Sequence, residues 1–311
     1  MHETHMERWR HRHTFGTQDV PPGESRTRWV IALTVVMMVV EIAAGWAFGS
    51  MALLADGWHM GTHAAALSVT AFAYLYMRRH AEDPKYSFGT GKVGSLGGFA
   101  SAVALTVVAA LVFGESIWRL TAPIEIQFNY AIGVAVVGLL VNLLSAFILH
   151  DEGHHHHGID PGAHHHHDHN LRAAYLHVVA DALTSLLAIF ALTAGKFLGW
   201  MWMDPIMGIV GSVIIARWSV GLLKETSAVL LDGEVGIEQR EAVLSLIESD
   251  SDDSVADLHI WRVGPSHLAA ILSVVTHQPK SPDYYKALLA ERSDLVHVTI
   301  EVQSCTDEKV A

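Results

Sequence analysis

The chain has a single cysteine, Cys305, in 311 residues. That excludes an internal disulfide and any cluster of thiolate metal ligands. Charge is scarce too: 17% of residues are Asp, Glu, Lys or Arg, where a soluble domain carries about a quarter. There is no HExxH. His2-Glu3 is the only His-Glu pair and lacks the second His at the right spacing, which argues against a helix-borne zinc protease. No apolar segment begins before Trp29, and the stretch ahead of it is polar and His/Arg-rich, so no cleavable signal peptide is evident. A basic surplus is also missing. The formal net charge is −12, and from Lys224 to Ala311 there are 16 acidic against 7 basic residues. Nucleic acid is therefore not an expected partner.

What the chain does have is apolar length and histidine: 51% of residues are hydrophobic and 22 are His. Six apolar segments are each long enough to span a bilayer. They run Trp29–Phe48, Leu53–Met77, Gly94–Trp118, Tyr130–Leu149, Ala173–Leu198 and Trp202–Leu223. Very short connections after segments one and five make those pairs antiparallel hairpins. Basic residues cluster in the N-terminal arm (Arg8, Arg10, Arg12, Arg26, Arg28) and after segment two (Arg78, Arg79, Lys85, Lys92), with only Arg119 and Lys196 opposite. The positive-inside rule puts both termini and the second and fourth loops in the cytosol, with Arg217 able to snorkel to that side.

Residues 1–28 read as a cytosolic arm bearing His2, His5, His11 and His13. Residues 29–223 form the membrane domain. Its fourth loop, residues 150–169, holds ten His, including His154–His157 and His164–His167. With Gly and Pro and no apolar face, this loop is expected to be disordered and to collect metal loosely. Residues 224–311 change character. Helical period at Glu238–Glu248 and Ser281–Arg292, and strand pattern at Ala256–Val263, Leu268–Thr276 and His297–Val302, give the order αββαβ. The expected fold is thus a polytopic α-helical membrane protein with a small C-terminal α/β, ferredoxin-like cytosolic domain.

Ionisable groups inside apolar spans are costly and mark function. Here they are Glu41, Asp56, His59, His63, Glu115, His177 and Asp181. His59 with His63, and His177 with Asp181, are spaced i, i+4, so each pair shares a helix face. Together they offer three imidazoles and one carboxylate, enough for a divalent metal. Asp56 falls on the face of the first pair and is an accessory candidate, as are His259 and His267 in the C-terminal domain. Glu41 is expected to make a structural hydrogen bond and Glu115 to lie near the surface. Imidazole binds metal only when deprotonated and titrates near neutral pH, so exchange of metal against protons is built into such a site. A haem bundle using His59 or His63 opposite His177 leaves Asp181 and the His-rich loop unexplained.

At these motifs the sequence resembles the cation diffusion facilitator family, from about Trp29 to Val302. SMALLADGWHMGTHAAA at Ser50–Ala66 and HVVAD at His177–Asp181 are similar to its two signature helices. FGTGKVGSL at Phe88–Leu96 resembles the approach to its third helix, with Gly94 where Glu is usual. LLDG at Leu230–Gly233 and DLHIW at Asp257–Trp261 resemble its domain junction and first C-terminal strand. The resemblance implies a homodimeric, proton-coupled antiporter exporting divalent metal across a bacterial inner membrane, with no catalytic cofactor and no enzymatic activity. It implies His59, His63, His177 and Asp181 as the transport site, and a charge interlock between Lys92 and Asp232. His63 stands where most members have Asp. Of the extra site some members carry, Asp83, Tyr86 and Thr90 match one acidic position, and Ala256 replaces a His that some use as a cytosolic ligand; His259, His267, His277 and His297 remain. The His/His pair, its WHMGTH context and the His-bearing arm are most like the cobalt and nickel branch. Zinc is the alternative cargo, and a non-transporting metal sensor is the alternative role.

Overall fold

The computed structural model describes residues 24–81, 83–150, 167–249 and 252–305. Side chains in these ranges are described except at 24–31, 63, 66, 67, 70, 71, 74, 145–150 and 167–181. The His-bearing arm and the His-rich loop from 151 to 166 lie outside the described residues.

Six long helices come first: α1 (Glu24–Phe48), α2 (Met51–Arg79), α3 (Val93–Thr121), α4 (Phe128–His150), α5 (His167–Leu198) and α6 (Met203–Leu230). They have 23 to 32 residues each, and about 20 suffice to cross the hydrocarbon at 1.5 Å per residue. Two, α3 and α6, are long and apolar enough to cross a membrane within their described residues. Three others carry apolar stretches at Ala32–Phe48, Phe128–Leu144 and Ala182–Leu198. In α2 the apolar run is broken by Asp56, His59 and His63.

The chain separates into two compact units, one of residues 21–69 and 100–223, the other including residues 70–99 and 224–311. In the first unit, α1 packs on α4 and α4 on α5. Its contacts are made by small and aliphatic side chains: Ala44, Leu53, Ala131, Ala135 and Leu192 form one cluster, Met51, Ala55 and Val112 another. The outward faces are apolar. Trp46, Leu111, Leu140, Phe190 and Val213 are all more than half exposed. A water-soluble bundle does not present so many exposed large apolar side chains; a lipid-facing one does.

Short hairpins join α1 to α2 and α5 to α6. Each first helix ends on a glycine in the left-handed region, Gly49 at φ 75° and Gly199 at φ 71°, where a Cβ is strained. Side chains tie the first hairpin down. Arg119 of α3 donates to the Gly49 carbonyl at 2.7 Å. Asp204, in the first turn of α6, accepts from Ser50 Oγ at 2.6 Å, Met51 N at 2.7 Å and Ala52 N at 3.2 Å. A buried carboxylate thus caps the first turn of α2, where backbone donors have no partner inside the helix. Glu115 is exposed, as its position predicts, and pairs with Arg119 at 2.8 Å.

In the second unit, α7 (Ile237–Glu248), β1 (Ser254–Arg262), β2 (Leu268–Thr276), α8 (Pro282–Leu288) and β3 (Leu295–Ser304) follow in the expected order. The sheet order is β1-β2-β3, with β1 and β2 antiparallel and β2 and β3 parallel. The parallel pair needs a crossover, which α8 supplies. Alternate residues Leu268, Ala270, Leu272 and Val274 of β2 face Val243 and Ile247 of α7 and Tyr285 of α8 in one core. Helix α8 is shorter than the period at Ser281–Arg292 predicts. Its C-terminal end tightens into i→i+3 turns at Ala290 and Arg292, and Arg292 clamps Asp294 at 2.7 and 2.9 Å, turning the chain toward β3.

Candidate metal centre

The cap on the first turn of α2 orients the next two turns of that helix. Asp56 and His59, one turn apart, are 3% and 4% exposed. Ser185 of α5 donates to Asp56 Oδ2 at 2.7 Å, so α5 is registered against α2 at this level. Asn142 of α4 stands behind Ser185, its amide at 3.5 Å from the hydroxyl. The His59 ring meets Trp218 of α6 edge-on, with centroids 5.9 Å apart. Asp56, His59, Thr184, Met207 and Gly211 line a cavity of about 30 Å³ between α2, α5 and α6. That is room for an ion or one or two waters. A carboxylate and an imidazole on its wall can ligate a borderline divalent cation in a site between apolar helices.

Positions 63, 177 and 181 lie in α2 and α5, but their side chains fall outside those described. Among the described residues no three His, Cys, Asp or Glu side chains gather as a metal site. Register still relates these positions. His59 and His63 are one turn apart on α2, and His177, Asp181 and Ser185 succeed each other at i, i+4 on α5.

Glu41 departs from expectation. It is fully buried in α1, and among the described residues neither of its oxygens has a hydrogen-bond partner. Among the described residues the structural hydrogen bond expected from sequence is not made: the neighbours there include a carboxylate, Asp56, and glycine positions of α2 and α4 that offer no side-chain donor.

In the C-terminal unit, Lys92 and Asp232 form an ion pair. His259 is exposed, 3.1 Å from Asp257 and 4.0 Å from Glu234. His267 contacts Ser266 at 3.4 Å, and His297 packs edge-on against Phe88. His277 is held by Asp252, which accepts from its backbone N at 3.0 Å and meets its ring Nδ1 at 2.5 Å. Those bonds hold the Asp252 carboxyl below the usual carboxylate range. These histidines therefore have separate partners. Tyr86, in the second loop, bonds the Tyr76 hydroxyl at 2.8 Å.

Sequence reasoning missed Ser185, Asn142 and Asp204. Ser185 carried a signal, four residues beyond Asp181 on the same face. Asp204 carried another, immediately before Pro205 at a helix start. Asn142 had none.

Residues 28–231 match the family model described as the cation efflux transmembrane domain. A protein of Yersinia pestis named zinc transporter ZitB is 32% identical over 284 residues, 88% of this chain and 85% of that protein. The ZitB of Escherichia coli K12 is 31% identical over 300 residues, 94% and 92% of the two chains. A cadmium, cobalt and zinc/H(+)-K(+) antiporter of Bacillus velezensis is 29% identical over 275 residues, 86% and 84% of the two. With a match across the helices that hold the buried Asp56 and His59, the chain belongs to the cation efflux, or cation diffusion facilitator, family: it is a membrane transporter that exports divalent metal cations, not an enzyme.

Proposed function

We propose that this chain is a proton-coupled antiporter that carries zinc, and cobalt beside it, out of the cytosol across the cell membrane. The carrying observation is the buried Asp56–Ser185 hydrogen bond beside the His59 cavity. It supports a transport site of His59, His63, His177 and Asp181. Stepping one turn along α2 leads to His59 and then to His63; stepping back along α5 leads from Ser185 to Asp181 and then toward His177. If the helices run antiparallel, the four ligands come level in pairs. Imidazole and carboxylate suit zinc as readily as cobalt. Zinc is in the names of all three relatives above, cobalt in one, nickel in none. This favours zinc over the cobalt and nickel preference that the His63 context suggests.

Both termini are cytosolic in this reading, and the His-rich loop raises local metal concentration at the inner mouth. Residues 224–311 form the cytosolic domain and the main contact of a homodimer, since a three-stranded sheet with one helical layer buries little surface alone. Lys92 and Asp232 act as the interlock between the second loop and the junction after α6.

The test is metal uptake into inside-out vesicles with an imposed pH gradient, comparing Zn, Co and Ni. Zinc uptake that responds to the gradient and falls to background in folded His177→Ala and Asp181→Ala is the expected result. Near-normal uptake by either variant removes that residue from the site; a parent that moves nickel in preference to zinc overturns the metal assignment.

A further inference from the structure

The metal site proposed above leaves one buried charge unused. Glu41 lies in the last third of α1 with no exposed surface and no hydrogen-bond partner at either oxygen among the described residues. The backbone around it is opened to admit the carboxyl. A Cβ on Gly138 of α4 would stand 1.8 Å from Glu41 Oε1, and one on Gly57 of α2 would stand 3.0 Å from Glu41 Cβ. Asp56, adjacent to Gly57, is near enough for the two carboxyls to interact electrostatically. Asp56 is bonded to Ser185, and Ser185 is approached by Asn142. Four helices therefore bring two carboxyls, a hydroxyl and a carboxamide to one level.

By sequence, few fixed cations stand near this level on the helices around it. Apart from Glu41, α1 has no ionisable residue between Arg28 and Phe48, and α4 has none between Tyr130 and His150. On α2 the neighbours are His59 and His63; on α5 they are Asp181 and His177. On α6, which shares the cavity, they are Asp204, committed to the cap of α2, and the exposed Arg217. Lys and Arg on α1, α2, α4 and α5 stand eleven or more positions from Glu41, Asp56 and Ser185, roughly 16 Å or more along a helix axis. Two carboxylates do not remain charged side by side in a dry helix interior without a cation.

We propose that Glu41 and Asp56, supported by Ser185 and Asn142, form the site of the counter-ion exchanged against metal: an oxygen-only site for one hard monovalent cation, a proton or an alkali ion. The proposal rests on the antiport reading above. A divalent metal arriving in the His59 cavity, whose wall Asp56 shares, brings two positive charges beside the carboxyl pair and expels its single cation. Departure of the metal on the far side lets the cation reload. The exchange of one monovalent for one divalent cation leaves one positive charge more beside the pair, and the remaining charge exchange is left to the metal ligands.

The experiment uses the full chain in vesicles and reads the limiting zinc accumulation ratio against an imposed gradient. One arm varies pH, the other varies potassium or sodium at fixed pH. Each coupled monovalent cation multiplies the limiting ratio about tenfold per tenfold gradient, so the slope counts coupled ions and is untouched by a change in rate. In Glu41→Gln the slope should fall by one, about tenfold less accumulation at one pH unit, and Glu41→Asp should restore it. A fall in the pH arm identifies a proton; a fall in the alkali arm identifies an alkali ion. Gly138→Ala, whose Cβ takes the place of the carboxyl, should show the same drop and serves if Glu41→Gln does not fold. An unchanged slope in a folded variant overturns the proposal, as does a folded Glu41→Gln that no longer exchanges zinc for zinc. A parent that ignores both gradients defeats the antiport reading itself, and this proposal with it.

Discussion

Replacing Asp204 by alanine removes the cap on which the register of α2 depends. The carboxylate accepts from Ser50 Oγ, Met51 N and Ala52 N, and all three donors belong to buried residues. Alanine leaves two backbone N–H groups without acceptors in an apolar interior, at about 1–3 kcal/mol each, so a loss of about 2–6 kcal/mol is expected. Asparagine keeps one oxygen for Ser50 and Ala52 and deprives only Met51 N, an expected loss of about 1–3 kcal/mol. Ser50→Ala deletes a hydroxyl that also accepts from Leu53 N at 3.1 Å; a lost cap of that kind costs about 1 kcal/mol. The expected order of destabilisation is Asp204→Ala, then Asp204→Asn, then Ser50→Ala. Thermal unfolding in detergent measures it, and vesicle uptake measures the consequence at Asp56 and His59, one to two turns further along α2. Asp204→Ala melting with the parent, or Asp204→Asn melting below Asp204→Ala, would refute the reasoning.

Gly91→Ala should disorder the approach to α3, because its Cβ would lie 2.2 Å from the Val263 carbonyl oxygen and 2.8 Å from Gly264 Cα, both backbone atoms; faster proteolysis near residue 91 is the readout. A double-mutant cycle on Lys92→Ala and Asp232→Ala should give a coupling of only about 0.2–1 kcal/mol, since both groups are partly exposed. Transport should then fall more than stability does. Arg292 holds the Asp294 carboxyl below the usual carboxylate range by a two-pronged hydrogen bond. A lowered carboxyl stabilises the fold fully above its unfolded value and loses that contribution as pH falls through the folded one. Asp294→Asn should therefore lower the melting point at neutral pH and flatten its decline below about pH 4.

Much of this fold can be read as length and period. The six long helices overrun the apolar segments at several ends, α2 to Arg79 and α6 to Leu230, because hydropathy marks only the lipid-facing part while hydrogen bonding carries the helix into polar turns. The αββαβ order was legible because β2 is a short, nearly continuous apolar run, whose Leu268, Ala270, Leu272 and Val274 are buried in the core. Helix α8 was not, since the Arg292–Asp294 clamp that ends it early is a local bond invisible to periodicity. The candidate site divides in the same way. An i, i+4 pair is visible along one helix. The partner of Asp56 is 129 positions away on another, and only packing brings Ser185 there. Glu41 shows the limit most clearly. A lone buried carboxyl suggested a hydrogen bond, yet among the described residues it makes none, and two glycine positions and a second carboxyl stand beside it.

That second carboxyl bears directly on metal preference. Counting only the two i, i+4 pairs gives three neutral nitrogens and one carboxylate, so a divalent ion keeps a formal excess charge and a nitrogen-rich shell suited to cobalt or nickel. The structure buries Asp56 on the wall of the His59 cavity. It need not touch the metal to matter. At low effective dielectric a carboxylate one turn away offsets much of the excess, and the charge reason for a softer, nitrogen-selecting site weakens. Zinc, which has no ligand-field preference, is then accommodated as well as cobalt. His63, the departure from the family pattern, would then share control of metal choice with Asp56: replacing it by Asp would add a further carboxylate to the proposed site rather than supply a missing one. On this reading the discriminating position is Asp56. In the proposal made above its charge would be shared between the metal in the cavity and the counter-ion at Glu41, so the same carboxylate would set both which ion enters and what must leave.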